Sequence, residues 1–193
     1  MSTALSYDKI AVRLHWCIAI LIIGLLAGGL LMGYIPNDNT SLRFAVYNWH
    51  KTLGLLVLVL TLFRLYWRLT HKPPAQVDGV KAWEEKIAGL VHAIFYGFMI
   101  VMPLVGWAII STSRFPSRLM NMFPLPKLPM LSGAENAKQL HQVFEKTHEV
   151  LAYLAIALIV LHVGAAIKHQ LGGKPILARM IPAMQVKTNK DEV

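Results

Sequence analysis

One cysteine, Cys17, stands in 193 residues. That scarcity excludes an internal disulfide, a four-cysteine iron–sulfur cluster and the C-x-x-C-H attachment of a c-type haem. Charge is also sparse. Only 15% of residues are charged against 55% hydrophobic, with mean hydropathy +0.50, which is too apolar for an ordinary soluble domain. Acidic side chains are the rarer sign, 10 against 19 basic, giving a formal charge of +9. The cations are spread over loops rather than gathered on one helix, which argues against nucleic acid and for phospholipid headgroups as counterions. The small-residue cleavage site of a secretory signal is missing too, so the first apolar run is expected to be retained.

Long apolar runs are what the chain does have. Four reach the roughly twenty residues that about 30 Å of hydrocarbon demands: about 14–33, 49–65, 90–110 and 150–168. Pro36, Pro73 with Pro74, and the series Pro116, Pro124, Pro126 and Pro129 mark the connections between them as partly non-helical. The expected architecture is all-α, one integral membrane four-helix bundle over 1–193 with a polar tail at 169–193. Twelve lysines and arginines, from Lys9 and Arg13 to Lys187 and Lys190, fall on the side holding both termini; seven, Arg43, Lys51, Arg114, Arg118, Lys127, Lys138 and Lys146, fall on the other. The positive-inside rule then places both termini in the cytoplasm.

Histidines organise the apolar runs. His148 and His162 lie fourteen residues apart, nearly four helical turns and about 21 Å, so both imidazoles share one face at opposite depths. Alternating spans give each a partner. His15 opens span one at the inner level of His162, and His50 opens span two at the outer level of His148. Two neutral imidazoles on opposite faces of an iron are the ligand set of a low-spin haem b carrier. The expectation is therefore two non-covalent b-type haems inside the bundle. Ala152, Ala155 and Gly54 leave room for porphyrin on the ligand-facing stripes, and Arg64 and Lys51 are candidates for the propionates.

Bland readings compete at each position. A lone histidine at the end of a membrane helix is commonly an interfacial polar residue, but four in register favour ligation. Arg64 is equally well read as a snorkelling cation. His92 begins span three at the inner level and competes with His15 for His162. His169, beside Lys168 at the inner boundary, is a candidate proton donor for a quinone head group, or a headgroup contact. His141 is expected to be solvated and His71 to lie in a loop. The pairs Gly24 with Gly28 and Gly29 with Gly33 read as helix packing, and Trp16, Trp49, Trp67 and Trp107 as an interfacial belt. A cofactor-free transporter or a passive membrane anchor stands as the alternative of another class.

Taken together, Val12-Arg13-Leu14-His15-Trp16, Trp49-His50-Lys51-Thr52-Leu53-Gly54 with Arg64-Leu65-Tyr66-Trp67-Arg68, Thr147-His148-Glu149, and Leu161-His162 with Lys168-His169 resemble the bacterial cytochrome b561 family over nearly the whole chain. The resemblance implies an inner haem b on His15 and His162, an outer one on His50 and His148, and residence in the bacterial inner membrane. It further implies electron transfer to membrane ubiquinone near His169, with superoxide as the donor in one kind of member and a partner dehydrogenase or c-type carrier as the alternative. The outer cations outnumber Asp38, Glu135, Glu145 and Glu149, which favours an anionic donor. Where some relatives continue with a second histidine, this chain has Gln170.

Overall fold

A computed structural model describes residues 6–74, 77 and 79–184; the basic tail residues Lys187 and Lys190 lie outside them. Among the described residues are four long helices, α1 (Lys9–Met32), α2 (Thr40–Thr70), α3 (Ala82–Thr112) and α4 (Ala137–Leu171), with a short antiparallel hairpin, β1 (Arg118–Leu119) and β2 (Phe123–Pro124), between α3 and α4. Each helix is long and apolar enough to cross a membrane. All but α1 run well beyond the spans expected from hydropathy, because their polar ends continue the same hydrogen-bond ladder outside the apolar stretch.

Local chemistry sets the helix ends. The Asp8 carboxylate accepts from the backbone N–H groups of Ile10 and Ala11, both at 2.9 Å, and Asn39 Oδ1 accepts from Leu42 at 3.1 Å; each satisfies donors that a helix start leaves orphaned. At the head of α3, Glu84 Oε2 accepts from Lys81 N at 2.9 Å. Pro103 sits inside α3, where the missing N–H removes one rung of the ladder. Helix α4 stops at Gly172 and Gly173; Gly173 has φ +77°, and Lys174 N returns to the His169 carbonyl at 2.9 Å. Only glycine adopts such a φ without strain, so the chain reverses there.

Packing runs α1 on α2, α2 on α3 and α3 on α4, while α1 and α4 share no extended backbone contact among the described residues. The core lies at mid-depth: Ile18, Val57 and Met99, from three different helices, with Leu21, Ile22, Leu25, Leu60, Phe95 and Tyr96 around them. Helix α4 contributes the buried Ala155. Large apolar side chains such as Ile20, Val59 and Val160 face outward on the spans, as lipid in place of water requires.

Both ends are closed by polar stitching. At the hairpin end, wholly buried Asn48 donates to Asn121 Oδ1 (2.9 Å) and accepts from Arg118 N (3.3 Å), Thr52 Oγ1 accepts from Met120 N (2.8 Å), and Lys51 Nζ donates to Ser117 Oγ (2.8 Å). These bonds hold Met120 and Asn121 at φ 51° and 60°, a left-handed pair typical of a tight hairpin turn. At the terminal end, the stretch after α4 folds back under the bundle: Trp16 Nε1 donates to the Met180 carbonyl (2.8 Å) and Arg179 Nη2 to the Pro74 carbonyl (2.9 Å). Of the segment expected as a polar tail at 169–193, residues to Leu171 complete α4, and Arg179 and Met180 carry the contacts to the bundle.

Candidate functional site

The helices bring eight positions into two tiers. At the hairpin end, the rings of His50 and His148 stand 6.3 Å apart, centroid to centroid. An ideal Cβ on Gly29 would lie 3.5 Å from His50 Cε1, and one on Gly106 3.6 Å from His148 Cε1. At the terminal end, His162 meets His92 at 5.7 Å between centroids and packs its ring against Phe95 at 5.1 Å. His15 Nδ1 there takes a hydrogen bond from Arg64 Nη2 at 3.1 Å. On every helix the member of one tier lies fourteen residues from the member of the other: His15 and Gly29, His50 and Arg64, His92 and Gly106, His148 and His162. One spacing, nearly four turns or about 21 Å, builds both levels.

The donor set of the hairpin tier fits a metal held between two imidazoles. Two nitrogen–metal bonds of about 2.0–2.1 Å plus the ring radii give a centroid separation of roughly 6 Å, close to what His50 and His148 show. His148 Nδ1 is buried without a hydrogen-bond partner, so the ring is held by packing. Gly106 and Gly29 give the two rings their seats, and Ala152 and Ala155 continue α4 toward the other tier with small side chains. In the terminal tier His15 and His162 stand on α1 and α4, which share no extended backbone contact among the described residues. His92 stands on α3.

Both expected propionate cations lie next to a tier, and both are engaged. Lys51 is tied to the cap through Ser117. Arg64, besides its bond to His15, packs over the Tyr96 ring at 6.0 Å, and Arg68 does so at 5.9 Å. Tyr7, Asp8, Arg64, Trp67, Arg68, His71, Lys72, His92 and Tyr96 line a cleft at the terminal end, and the Tyr96 hydroxyl is buried there without a partner. The quinone candidates sit on the last turn of α4, Lys168 exposed and His169 half-buried. Close by, Lys174 pairs with Glu84 at 3.0 Å. Gln170 accepts from Leu177 N at 3.2 Å, which makes it part of the folded-back segment.

His141 differs from expectation, whereas His71 lies just beyond α2 in the connection, as expected. His141 is not a freely solvated side chain; it bridges α3 and α4, with Nδ1 3.0 Å from Thr112 Oγ1 and Nε2 3.3 Å from Glu145. His71 closes α2 and stacks on Trp67, centroids 3.8 Å apart and planes within 9°. The indoles of Trp16, Trp67 and Trp107 each donate to a partner near a helix end, Trp67 to Asp8 Oδ2 at 3.1 Å and Trp107 to the Pro126 carbonyl at 2.8 Å, as interfacial tryptophans do. Sequence reasoning assigned Gly29 to helix packing and gave Gly106 no role at a ligand. The signal was present: each lies fourteen residues after a histidine, the same interval that singled out His148 and His162.

Comparison with known proteins places this geometry in context. The profile described as prokaryotic cytochrome b561 matches residues 6–183. Cytochrome b561 homolog 1 of Escherichia coli (strain K12) is 27% identical over 177 residues, covering 91% of this chain and 97% of the relative. Cytochrome b561 homolog 2 of the same organism is 25% identical over 163 residues, 84% of each.

Proposed function

The chain belongs to the prokaryotic cytochrome b561 family, a membrane b-type cytochrome of electron transfer, and from that premise we propose that it holds two haems and carries electrons from a donor at the hairpin end to ubiquinone at the terminal end. The observation that supports this reading is the pair of tiers: imidazoles recur at both depths of one bundle, fourteen residues apart. His50 and His148 ligate the outer haem, and His15 and His162 the inner one. Haem b, when bound, supplies a one-electron iron couple, and two imidazoles per iron leave no coordination position open for oxygen.

This chain's own residues do the rest. Phe95 fixes the ring of His162, Gly29 and Gly106 set how close the outer histidines stand to α1 and α3, and the Ile18, Val57 and Met99 core keeps water out between tiers. Lys51 and Arg64 offer positive charge to the haem carboxylates, which raises the affinity for electrons at each centre. Lys168 and His169, on the last turn of α4, face the headgroup level where a quinone receives electrons and protons. The excess of lysine and arginine on the terminal side supports a topology in a bacterial inner membrane with both termini facing the cytoplasm.

Superoxide is the favoured donor, since the hairpin side carries an excess of cations. Stopped-flow mixing of oxidised protein with superoxide is expected to reduce haem faster than spontaneous dismutation removes the radical; no reduction above that background rejects the donor. A second reading, delivery by a docked redox protein, draws on the exposed apolar tip of the hairpin connection, Phe115, Met122 and Phe123; a partner that co-purifies with the detergent-solubilised chain would favour it. The dihaem reading is tested by the visible spectrum and haem-to-chain ratio. The expectation is sharp low-spin bands and two haems per chain, one lost in His50→Ala or His148→Ala and the other in His162→Ala. A colourless preparation made with ample iron and porphyrin overturns it.

A further inference from the structure

We propose that Lys174 and Glu84 form a clamp that positions the quinone donors Lys168 and His169, a role that rests on the reading of the last turn of α4 as the quinone site. A helix end leaves its last carbonyls without partners and frays unless something closes it. The three residues after Leu171 close this one. The N–H of Gly172 donates to the Lys168 carbonyl at 3.0 Å, that of Gly173 to the Gln170 carbonyl at 3.2 Å and that of Lys174 to the His169 carbonyl at 2.9 Å. The carbonyls of both candidate donors are thereby occupied, and the backbone that carries their side chains is fixed.

A turn built on two glycines is flexible by itself. Both are required, since Gly173 has φ +77° and a Cβ on Gly172 would lie 3.3 Å from the Lys168 carbonyl oxygen. Lys174 supplies the fixed point. Its Nζ meets Glu84 Oε2 at 3.0 Å, and its Cε lies 4.0 Å from the place of a Cβ on Gly79, in the connection after α2. Glu84 is itself held, because the same Oε2 accepts from Lys81 N at 2.9 Å at the head of α3. Among residues 81–90 Glu84 alone is not exposed. With side chains only 23% and 15% exposed, the pair is largely withdrawn from water, where charges are screened less than on an open surface. One lysine thus joins the end of α4 to the head of α3, through its backbone N–H at one end and its ammonium at the other.

Ubiquinone becomes ubiquinol by gaining two electrons and two protons, and its carbonyl oxygens accept hydrogen bonds before they accept protons. Lys168 and His169 are the donors to those oxygens, and the clamp holds the turn that carries them at one height against α3. Lys174 and Glu84 act through the helix end, as positioning residues. A donor held in place by its surroundings binds its ligand without the cost of being ordered at that moment, so the pair sets how tightly the head group is held rather than how fast electrons reach it.

Equilibrium dialysis of a short-chain ubiquinone against the oxidised, haem-loaded full chain measures binding without turnover, and stopped-flow reoxidation of the reduced protein separates KM from kcat. Lys174→Gln and Glu84→Gln, the latter keeping an oxygen for Lys81 N, are each expected to raise Kd and KM by roughly threefold to tenfold, with kcat and the haem spectra unchanged. Lys174→Arg is expected to keep wild-type binding, and Lys174→Gln with Glu84→Gln to be no worse than either alone, as members of one pair require. Unchanged Kd and KM in both single variants overturn the proposal, and so does a loss that falls on kcat while KM stays. An equal rise in KM in Arg179→Gln, which loosens the same segment at the Pro74 carbonyl, overturns it too, because any loosening would then suffice. Should Glu84→Gln fail to hold haem, Lys174→Gln against Lys174→Arg decides. A wild type that neither binds ubiquinone nor is reoxidised by it defeats the quinone reading itself, and wild-type binding in Lys168→Ala with His169→Ala defeats its placement on α4.

Discussion

Gly106 offers a graded test of how the hairpin tier holds His148. A Cβ at this position falls 3.6 Å from His148 Cε1 and 3.9 Å from Nδ1, which is ordinary contact. Alanine therefore fits without displacing the ring, and replacing a mid-helix glycine adds about 0.5–1 kcal/mol of helix stability. Leucine is another matter. Its Cγ reaches roughly 1.5 Å further, and from 3.6 Å that brings carbon far inside the contact optimum of about 3.5–4.0 Å. Either His148 or α3 must move, at a cost of about 1–3 kcal/mol for overpacking. Charged against haem binding, that is a factor of roughly 5 to 150 in affinity at the outer centre. The assay is haem per chain and the reduced-minus-oxidised spectrum of purified protein. Gly106→Ala should keep both haems, and Gly106→Leu should lose or perturb the outer one alone. Gly28→Leu is the control, since nothing lies within 4 Å of a Cβ there. An unaltered outer spectrum in Gly106→Leu, or the same loss in Gly28→Leu, would refute the seat assigned to Gly106.

The same logic predicts that Gly29→Leu disturbs the outer haem through His50, because its Cβ would sit 3.5 Å from that ring; a selective loss at the inner haem would contradict it. Asn48→Ala removes both bonds that this buried side chain makes to the hairpin connection and should cost about 1–3 kcal/mol, read as earlier melting and faster proteolysis between 114 and 131. At Asp8, burial tends to raise the carboxylate's pKa, but hydrogen bonds from Ala11, Trp67 and Ile10 together hold it below its ordinary 3.8. A lowered folded value means that the cap's contribution is complete above the ordinary value and disappears as pH falls through the lowered one. Trp67 emission should therefore change in wild type only in strong acid, and the Asp8→Asn difference should flatten; an identical acid profile in the variant rejects the cap's role.

Much of this protein is written in one dimension. The four helices follow from apolar length, since a bilayer admits few backbone arrangements that satisfy every N–H and C=O. The fourteen-residue interval between His148 and His162 follows from helical period alone, and so does the expectation that each belongs to a different depth. Those properties depend on neighbours along the chain, which is why spacing reveals them. Lateral arrangement does not work that way. That His92 rather than His15 meets the ring of His162, that Arg64 holds His15, that Gly29 and Gly106 seat the outer histidines, and that His141 bridges α3 and α4 are all contacts between helices. Helix rotation and the α1–α4 seam decide them, through side-chain packing between elements tens of residues apart, and hydropathy carries no record of which faces meet. The segment after α4 makes the same point: its composition reads as a polar tail, yet hydrogen bonds from Trp16 to the Met180 carbonyl and from Arg179 to the Pro74 carbonyl fasten it beneath the bundle, an outcome that requires α1, the connection after α2 and the stretch after α4 to meet in three dimensions.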